Sequence, residues 1–304
     1  MSEFKIHPEA YVGAVHLIVS NLDRALRFYG DVLGFKRIRS EDGTLALAAG
    51  GTTPVILLTE IQEAQLKPPH TTGLYHYAIR VPERVDLAQT LVRLSEKKYP
   101  LQGAADHGVS EALYLADPDG NGIEIYADRP RNEWSRVNGQ VQMGTDPLDV
   151  DGLLAELGRD GRPWNGMSPQ TRIGHVHLHV ADLRRTETFY HDVLGLDLML
   201  RYSGSALFFS AGGYHHHIGV NTWAGAGAPP PPPDAVGLRY FIVTLPDEVE
   251  LQRVAEHLEA SAVDFDEEAS AISLRDPSGN GIRLMVGSAT GVVEDTVMEM
   301  SAER

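Results

Sequence analysis

Alternating hydrophobic and polar positions predict a strand followed by a helix near the start of the chain. Residues 12–19, VGAVHLIV, alternate as a strand does. Ser20 and Asn21 have side chains that can cap a following helix. The apolar positions of that helix recur at helical spacing, at Leu22, Leu26, Tyr29 and Leu33. Gly34 can adopt the left-handed conformation that ends a helix, so the pattern predicts a β-α unit.

The rest of the first half continues this pattern with further short strands. Glycines and a Thr-Pro pair separate the β-rich runs. The predicted elements are strands near 45–48 and 55–58, a strand at 76–81, a helix at 87–97, and strands near 112–115 and 123–126. The first half therefore reads β-α-β-β-β twice, as module 1 and module 2.

The second half of the chain repeats the first. Residues 15–35 and 176–196 share 12 of 21 positions at an offset of 161. The segment LYLADPDGNGIEIY at 113–126 returns as LRDPSGNGIRLM at 274–285, at an offset of 159. Self-similarity of this length predicts a duplicated α+β fold. The second half then supplies modules 3 and 4, for four βαβββ modules in two tandem domains.

The two copies of the DPxGNGI segment differ at one position that bears on chemistry. When Asp117 is aligned with Asp276, Glu124 lies opposite Arg283. A carboxylate can ligate a metal, whereas a guanidinium repels one. Glu124 stands on an otherwise apolar strand, IEIY, where an unpaired buried charge would be costly. The contrast predicts one complete metal site in a duplicated chain.

Segments between and after the repeats set the predicted domain boundaries. Residues 149–157 could form one short helix inside a connector. Five prolines in GAGAPPPPPDAV, residues 225–236, exclude helix and central strand and predict a stiff link. The predicted division is a first domain at 11–128, a connector at 129–170, a second domain at 171–287 and an acidic tail at 288–304.

Composition and charge exclude several classes of function. The 26 Lys and Arg against 42 Asp and Glu give a formal charge of −16, which disfavours binding to nucleic acid or to an anionic membrane. The absence of cysteine excludes disulfides, thiolate metal sites and a cysteine nucleophile. Short apolar runs and a polar start without a signal-peptide core lead us to expect a cytoplasmic protein. Histidine is prominent, with 13 residues.

Four βαβββ units that contain HVHLHVADLRRTETFYHDVLG from His175 and DPDGNGIE up to Glu124 resemble the vicinal oxygen chelate superfamily. This is the glyoxalase/bleomycin-resistance/dioxygenase-like group. Its four-module members include the type I extradiol dioxygenases, and the resemblance is strongest to bacterial catechol 2,3-dioxygenases. The resemblance covers nearly all of the chain outside the connector and the tail. The superfamily also contains isomerases, lyases and drug-binding proteins, so fold alone does not set the reaction.

The resemblance implies a metal held by two histidines and one glutamate, a set of ligands that favours iron as Fe(2+). By position in the family motifs, these ligands are His76, Glu124 and His175. His16 is the reserve for the third ligand if modules 1 and 2 pair. His177 has His16 as its counterpart and is interpreted as a packing position, and His215 as a surface or loop residue.

Each proposed ligand can be compared with its copy in the other half. His175 corresponds to Ala14, Glu124 to Arg283, and His76 to Tyr240. Modules 2 and 3 thus hold the complete set, and modules 1 and 4 hold none of it. We therefore expect module 2 to pack against module 3 around the metal, and module 1 against module 4 around a degenerate site.

The resemblance also implies an acid-base histidine and two residues that bind the substrate oxygens. The histidine falls in residues 214–220, where His217 is the first choice and His216 the second. Strand alternation would point these two side chains to opposite faces. Tyr114 fits the family tyrosine, ten residues before the glutamate, and His107 resembles a further histidine although its spacing is two residues shorter.

Taken together, the resemblance implies Fe(II)-dependent extradiol, or meta, cleavage of catechol or a substituted catechol with O2. The product would be a 2-hydroxymuconic semialdehyde, as in the catabolism of aromatic hydrocarbons. Partners would be a small aromatic diol and O2, and a homo-oligomer is compatible with the sequence. The alternatives are a glyoxalase-like isomerase or lyase, which normally has a fourth protein ligand, and a non-catalytic protein that sequesters a ligand.

Overall fold

The computed structural model describes residues 4–41, 43–137, 140–268 and 270–287. The predicted acidic tail at 288–304 lies outside the described residues. Within those ranges no helix is both long enough and apolar enough to cross a bilayer.

Each module contributes four strands. Module 1 contains β1 (Tyr11–Val19), β2 (Lys36–Glu41), β3 (Thr44–Ala48) and β4 (Ile56–Glu60). Module 2 contains β5 (Gly73–Val81), β6 (Gly103–Asp106), β7 (Ser110–Ala116) and β8 (Gly122–Asp128), and the connector adds a hairpin of β9 (Arg136–Val137) and β10 (Gln140–Val141). Module 3 contains β11 (Arg172–His179), β12 (Asp197–Tyr202), β13 (Ala206–Ser210) and β14 (Ile218–Asn221). Module 4 contains β15 (Gly237–Leu245), β16 (Phe265–Glu268), β17 (Ala271–Arg275) and β18 (Gly281–Val286).

One helix follows the first strand of every module, and the connector holds another. The helices are α1 (Leu22–Leu26), α2 (Arg84–Glu96), α3 (Val150–Asp160), α4 (Leu183–Glu187) and α5 (Glu248–Ala260). α1 and α4 continue into π-helical turns at Arg27–Val32 and Thr188–Val193, and a 3-10 turn lies at Arg131–Glu133. Asn21 caps α1 by accepting from the Arg24 N–H, as its sequence position predicts.

The modules pair across the two halves of the chain. One eight-stranded sheet has the order β16-β17-β18-β15-β1-β4-β3-β2, and the other has β12-β13-β14-β11-β5-β8-β7-β6. We call them the module 1/4 sheet and the module 2/3 sheet. The pairing predicted from the comparison of repeats is therefore confirmed. His16 belongs to the module 1/4 sheet, so the condition for using it as a reserve ligand, pairing of modules 1 and 2, is not met.

The two sheets share a single large hydrophobic core. Alternate positions of the central strands face this core, for example Val15 and Leu17 of β1 and Val176 and Leu178 of β11. Because successive side chains of a strand point to opposite faces, the intervening residues lie on the other, concave face of each sheet. Those positions include His16 in one sheet and His175 and His177 in the other. The concave faces are where ligands could bind.

The DPxGN segments form rigid turns that join the modules within each half. Asp117 accepts hydrogen bonds from the Asn121 backbone and side-chain amides and from the Tyr29 hydroxyl of module 1. Asp276 makes the same bonds with Asn280 and with the Tyr190 hydroxyl of module 3. Burial raises the pKa of both carboxyls, although these bonds oppose the shift. The motif therefore has a structural role in both halves.

The predicted connector elements are present. α3 covers the expected short helix, with Asp149 accepting from the Gly152 N–H at its start and left-handed Gly161 at its end. The proline-rich segment 225–236 forms no helix or strand. Its backbone bonds to module 2 through the Thr72 N–H and the Pro229 carbonyl, 2.9 Å apart.

Candidate metal centre

Three adjacent strands of the module 2/3 sheet bring the predicted metal ligands together. β5 is flanked by β11 on one side and β8 on the other. Ala78 of β5 pairs with His175 of β11 and with Glu124 of β8. His76 lies two positions before Ala78, so its side chain leaves β5 on the same face. The small Ala78 side chain leaves space between the histidine and the glutamate.

A β-bulge at Gly174 shapes the strand that carries His175. The register of β11 against β5 shifts between Ile173 and His175. A Cβ atom at Gly174 would lie 1.8 Å from the Tyr126 hydroxyl oxygen, so no other residue fits without displacing Tyr126. Glycine at this position therefore permits the close approach of β11 to the tyrosine next to the cluster.

The three side chains form a compact, buried cluster. Nε2 of His76 is 3.1 Å from Oε2 of Glu124, and Nε2 of His175 is 3.2 Å from the same oxygen. One ligand atom from each residue lies within 4.8 Å of the other two. His76 is 7% exposed, Glu124 3% and His175 2%. Such spacing allows all three to bind one ion.

Electrostatics keep the cluster in the ionisation states that bind metal. Burial alone would raise the pKa of Glu124, but His175 and His76 hold it well below its ordinary value. Burial lowers the pKa of His175 to about 4, despite the opposing influence of Glu124. At neutral pH the site thus offers a carboxylate and an uncharged His175 imidazole, which are the forms that coordinate a metal.

The donor set fits a divalent cation. Nε2 of His76 is buried, and although it lies 3.1 Å from Glu124 Oε2, it makes no hydrogen bond of suitable geometry among the described residues. A buried polar nitrogen without a partner is unfavourable, and a cation bound between the three residues would satisfy it. Two imidazole nitrogens and one carboxylate oxygen form the facial set typical of sites with open positions for substrate.

A cavity of about 440 Å3 leads to this cluster. Its wall combines aromatic, apolar and histidine side chains from modules 2 and 3 with three connector residues, Met143, Gly144 and Thr145. Tyr75 and Trp223, which are 41% and 48% exposed, contact each other edge to face at 5.3 Å. A cavity of this size and aromatic character suits a small planar ligand.

Tyr114 and His107, both predicted from sequence, lie together on the cavity wall. Tyr114 pairs with Glu124 across β7 and β8. Nε2 of His107 is 2.6 Å from the Tyr114 hydroxyl, and its Nδ1 is 2.7 Å from the Gly144 carbonyl. A carbonyl can only accept, so Nδ1 of His107 donates to it, and in this tautomer Nε2 accepts a hydrogen bond from the Tyr114 hydroxyl.

The structure reverses the preference for His217 over His216. His217 lies outside this cavity, and its Nδ1 contacts the Ser210 hydroxyl at 3.1 Å and the Ala211 N–H at 3.2 Å. His216 lines the cavity and contacts His175, with ring centroids 4.0 Å apart and the ring planes tilted by 45°. His216, the second choice, is therefore the candidate that lines the cavity, and the two side chains face different ways as strand alternation predicted.

Of the two alternatives given for His215, surface or loop, the loop is confirmed, but the residue is buried and not on the surface. It is 0% exposed, and its Nε2 lies 3.0 Å from Asp128 Oδ1. Its Nδ1 lies 2.8 Å from Nδ1 of His216. Asp128, His215 and His216 thus form a hydrogen-bonded chain that ends at the cavity. Three consecutive histidines were the sequence signal that could have indicated it.

His177 also lines the cavity rather than serving only as packing. Its Nε2 accepts from the Asn221 side-chain amide at 3.0 Å, and Asn221 Oδ1 is 2.7 Å from Nδ1 of His179. Burial lowers the pKa of His177 well below its ordinary value, so the ring is neutral. The counterpart His16 lines the equivalent cavity of the other sheet, which explains why the two positions looked alike in sequence.

The sequence of this chain matches one family model and several known proteins. The family model for the Glyoxalase/Bleomycin resistance protein/Dioxygenase superfamily matches residues 11–125 and 172–284. The chain is 45% identical over 275 residues to the catechol-2,3-dioxygenase of Bacillus subtilis (strain 168), covering 90% of this chain and 95% of that protein.

More distant matches share less of the sequence. The chain is 25% identical over 225 residues to the manganese-dependent 2,3-dihydroxybiphenyl 1,2-dioxygenase of Geobacillus genomosp. 3, covering 69% of this chain and 63% of that one. The structure of glyoxalase I from Zea mays matches with a TM-score of 0.56 at 16% identity, covering 91% of this chain and 92% of that chain. This last likeness shows the shared fold alone.

Proposed function

The chain belongs to the Glyoxalase/Bleomycin resistance protein/Dioxygenase superfamily, and on that premise we propose that it is a metal-dependent extradiol dioxygenase. The substrate is catechol or a substituted catechol, opened with O2 to a 2-hydroxymuconic semialdehyde. The observation that carries the proposal is the buried His76, Glu124 and His175 cluster at the inner end of an aromatic cavity. The 45% identity to a catechol-2,3-dioxygenase supports the same reaction class.

His76, Glu124 and His175 would hold the metal. When bound, a divalent cation with open positions supplies positive charge that favours the ionised form of a catechol and a place for O2. We propose Fe(II), since two imidazoles and one carboxylate are the typical set of non-haem Fe(II) oxygenases. The manganese dependence of one relative makes Mn(II) the ion to compare directly.

Tyr114 would orient a substrate oxygen in the cavity. Burial, and next the charge of Glu124, raise the pKa of Tyr114 far above its ordinary value, so the hydroxyl remains protonated. His107 holds this hydroxyl in place from one side, and the Gly144 carbonyl holds His107. The hydroxyl oxygen keeps a lone pair and can accept a hydrogen bond from a substrate hydroxyl.

His216 would act as the acid-base residue, in a tautomer that its neighbours define. The Asp128 carboxylate only accepts, so Nε2 of His215 donates to it, and in the uncharged tautomer of His215 the Nδ1 atom accepts. His216 then donates from its own Nδ1, which leaves its Nε2 lone pair free to take a proton from the substrate. Burial lowers the pKa of His216 well below its ordinary value, so the ring starts uncharged.

The alternatives raised by the sequence receive less support from the site. A glyoxalase-like isomerase or lyase normally adds a fourth protein ligand, whereas the cluster found among the described residues contains three. A protein that only sequesters ligands has no need for a buried carboxylate between two histidines. The similarity to glyoxalase I extends to the fold and does not favour its reaction.

Anaerobic reconstitution with Fe(II), followed by catechol and air, tests the proposal. We expect O2 uptake and a yellow ring-fission product in stoichiometric amounts, and neither in Glu124→Gln, which keeps the side-chain volume but weakens a ligand. Parallel reconstitution with Mn(II) compares the two ions. If neither ion supports O2 uptake with catechol or with alkyl-, chloro- and phenyl-substituted catechols, the dioxygenase proposal is wrong.

A further inference from the structure

The module 1/4 sheet contains a second cavity at the position that corresponds to the metal centre. Its volume is about 760 Å3, larger than the cavity at the metal cluster. His16, Tyr240 and Arg283 lie in its wall. By strand register these are the counterparts of His177, His76 and Glu124, because His16 pairs with Tyr240 as His177 pairs with His76. Ser273, the smaller counterpart of Tyr114, contributes to the greater volume.

The charge of this cavity suits an anion and not a metal. Arg283 is buried and donates to Glu268, with Nη2 2.8 Å from Oε2. Arg239 is half-buried, lines the same cavity and adds a second positive charge. Two further acids, Asp264 and Asp266, lie at solvent-exposed positions of the wall where water screens them. Among the described residues, the two guanidiniums of Arg239 and Arg283 thus accompany the one half-buried carboxylate of Glu268.

The positive charges of Arg239 and Arg283 also affect His16. Burial, then the charges of Arg239 and Arg283, lower the pKa of His16 to about 3. The ring is consequently neutral at physiological pH, and it does not add to the positive charge. Its Nε2 lies 2.8 Å from the Thr59 hydroxyl.

Two buried polar atoms in this wall have no hydrogen-bond partner among the described residues. They are Nδ1 of His16 and Oε1 of Glu268. His16 is 3% exposed. A bound molecule with a hydroxyl group would give Oε1 of Glu268 a hydrogen-bond donor, while Oε2 keeps its bond from Arg283. Aromatic walls at Phe189, Tyr240 and Phe265 provide apolar surface for a ring.

We propose that this cavity is a second ligand site for a small aromatic hydroxycarboxylate. The carboxylate offsets the positive charges of Arg239 and Arg283, the ring packs on the aromatic wall, and the hydroxyl donates to Glu268. A guanidinium thus occupies the strand position that a metal-binding carboxylate has in the other sheet. The proposal is independent of the reaction assigned to the metal centre.

Isothermal titration of the metal-loaded, full-length protein with 3-hydroxybenzoate tests this site. The probe has no vicinal oxygens on its ring and so cannot chelate the metal as a catechol would. We expect one saturable event, weakened about tenfold in Arg239→Gln through loss of a charge-assisted bond and present with the same affinity in Glu124→Gln. Benzoate, which lacks the hydroxyl, should bind several times more weakly.

Hydrogen–deuterium exchange of the unmodified protein provides a readout that needs no variant. With saturating 3-hydroxybenzoate, peptides from β17 and β18 should gain protection while those from β5 and β8 do not. Absence of binding up to the solubility limit would overturn the proposal. So would protection confined to the metal-centre strands, or binding that is lost in Glu124→Gln and retained in Arg239→Gln.

Discussion

The two sheets of this protein share their strand order and register but differ in a few side chains on the concave face. Both have bulges at matching positions, before Ala14 in one sheet and before His175 in the other. The metal set is replaced in the module 1/4 sheet, where Tyr240, Arg283 and Ala14 stand for His76, Glu124 and His175. The fold therefore needs no metal ligands, and function depends on side chains placed on an unchanged frame.

The replacements in the two sheets are complementary in volume as well as in charge. His175 pairs with the small Ala78, whereas its counterpart Ala14 pairs with the larger Ile242. In each sheet a large side chain lies beside a small one and the two together fill the concave face. The strand that carries the large side chain differs between the two sheets. Ala78 is thus part of what makes the metal centre possible, although it has no polar group.

Replacement of Glu124 by alanine, compared with replacement of its counterpart Arg283, should have the largest effect. Glu124→Ala removes the only carboxylate of the ligand cluster, so we expect loss of bound metal and a fall in activity on the order of 1,000-fold or more. Arg283→Ala should retain the metal, because it lies in the other sheet. Metal analysis and O2 uptake check both. Equal metal loss in the two variants would contradict the assignment of one centre to the module 2/3 sheet.

Exchange of the two small and large neighbours tests the volume argument. Ala78→Ile should force His175 and Glu124 apart and prevent metal binding, with a loss of stability of about 1–3 kcal/mol from overpacking. Ile242→Ala opens a cavity in the other sheet and should cost about 2–5 kcal/mol while leaving metal content unchanged. Denaturation curves and metal analysis separate the outcomes. Full metal content in Ala78→Ile would show that the space beside Ala78 is unimportant.

Removal of the acid-base candidate should lower kcat with the metal still bound. We expect His216→Ala to reduce kcat by about 100- to 10,000-fold, the usual range for a general acid or base. His217→Ala serves as the control, since His217 lies outside the cavity. Steady-state kinetics on variants with equal metal content decide the matter. A greater kcat loss for His217→Ala would restore the original sequence-based preference.

The hydrogen-bonded chain behind His216 can be tested with two replacements of His215. His215→Gln retains one donor and one acceptor, whereas His215→Phe fills the space and provides neither. We expect His215→Phe to lower kcat about tenfold more than His215→Gln. Nitrogen NMR of a zinc-loaded sample should show a proton on Nδ1 of His216 in the wild-type protein. A proton on Nε2 instead would refute the proposed tautomer.

The smallest effect concerns the pH dependence of stability contributed by the module 1/4 sheet. The pKa of His16 is about 3 in the folded protein and near 6.5 when unfolded, so the unfolded chain binds more protons between these values. This contribution is complete above the unfolded pKa and is lost as the pH falls through that window. His16→Gln should make urea midpoints less sensitive to pH between about pH 6 and pH 4. An unchanged slope would contradict the role of His16.

The module pairing could be predicted because the internal repeats can be aligned, and the three proposed ligands came from the family resemblance. The bond between Asp117 and Tyr29 and its copy between Asp276 and Tyr190 join the modules of each half in the same way, so aligned positions have equivalent surroundings. Strand periodicity placed His216 and His217 on opposite faces but could not show which face borders the cavity, and the cavity contains His216, the second choice. The role of Asp128 could not be read from sequence, since its contact with His215 joins residues 87 positions apart.

The crossed pairing of modules also bears on how such a chain could arise. Tyr29 and Asp117 tie module 1 to module 2, yet module 2 finds its sheet partner in module 3. A protein made of one half alone could therefore complete its sheets only by assembling with a second copy, as a swapped dimer with two identical centres. Fusion of the two copies into one polypeptide removes that symmetry requirement. One centre can then keep its ligands while selection on the other is free to change them.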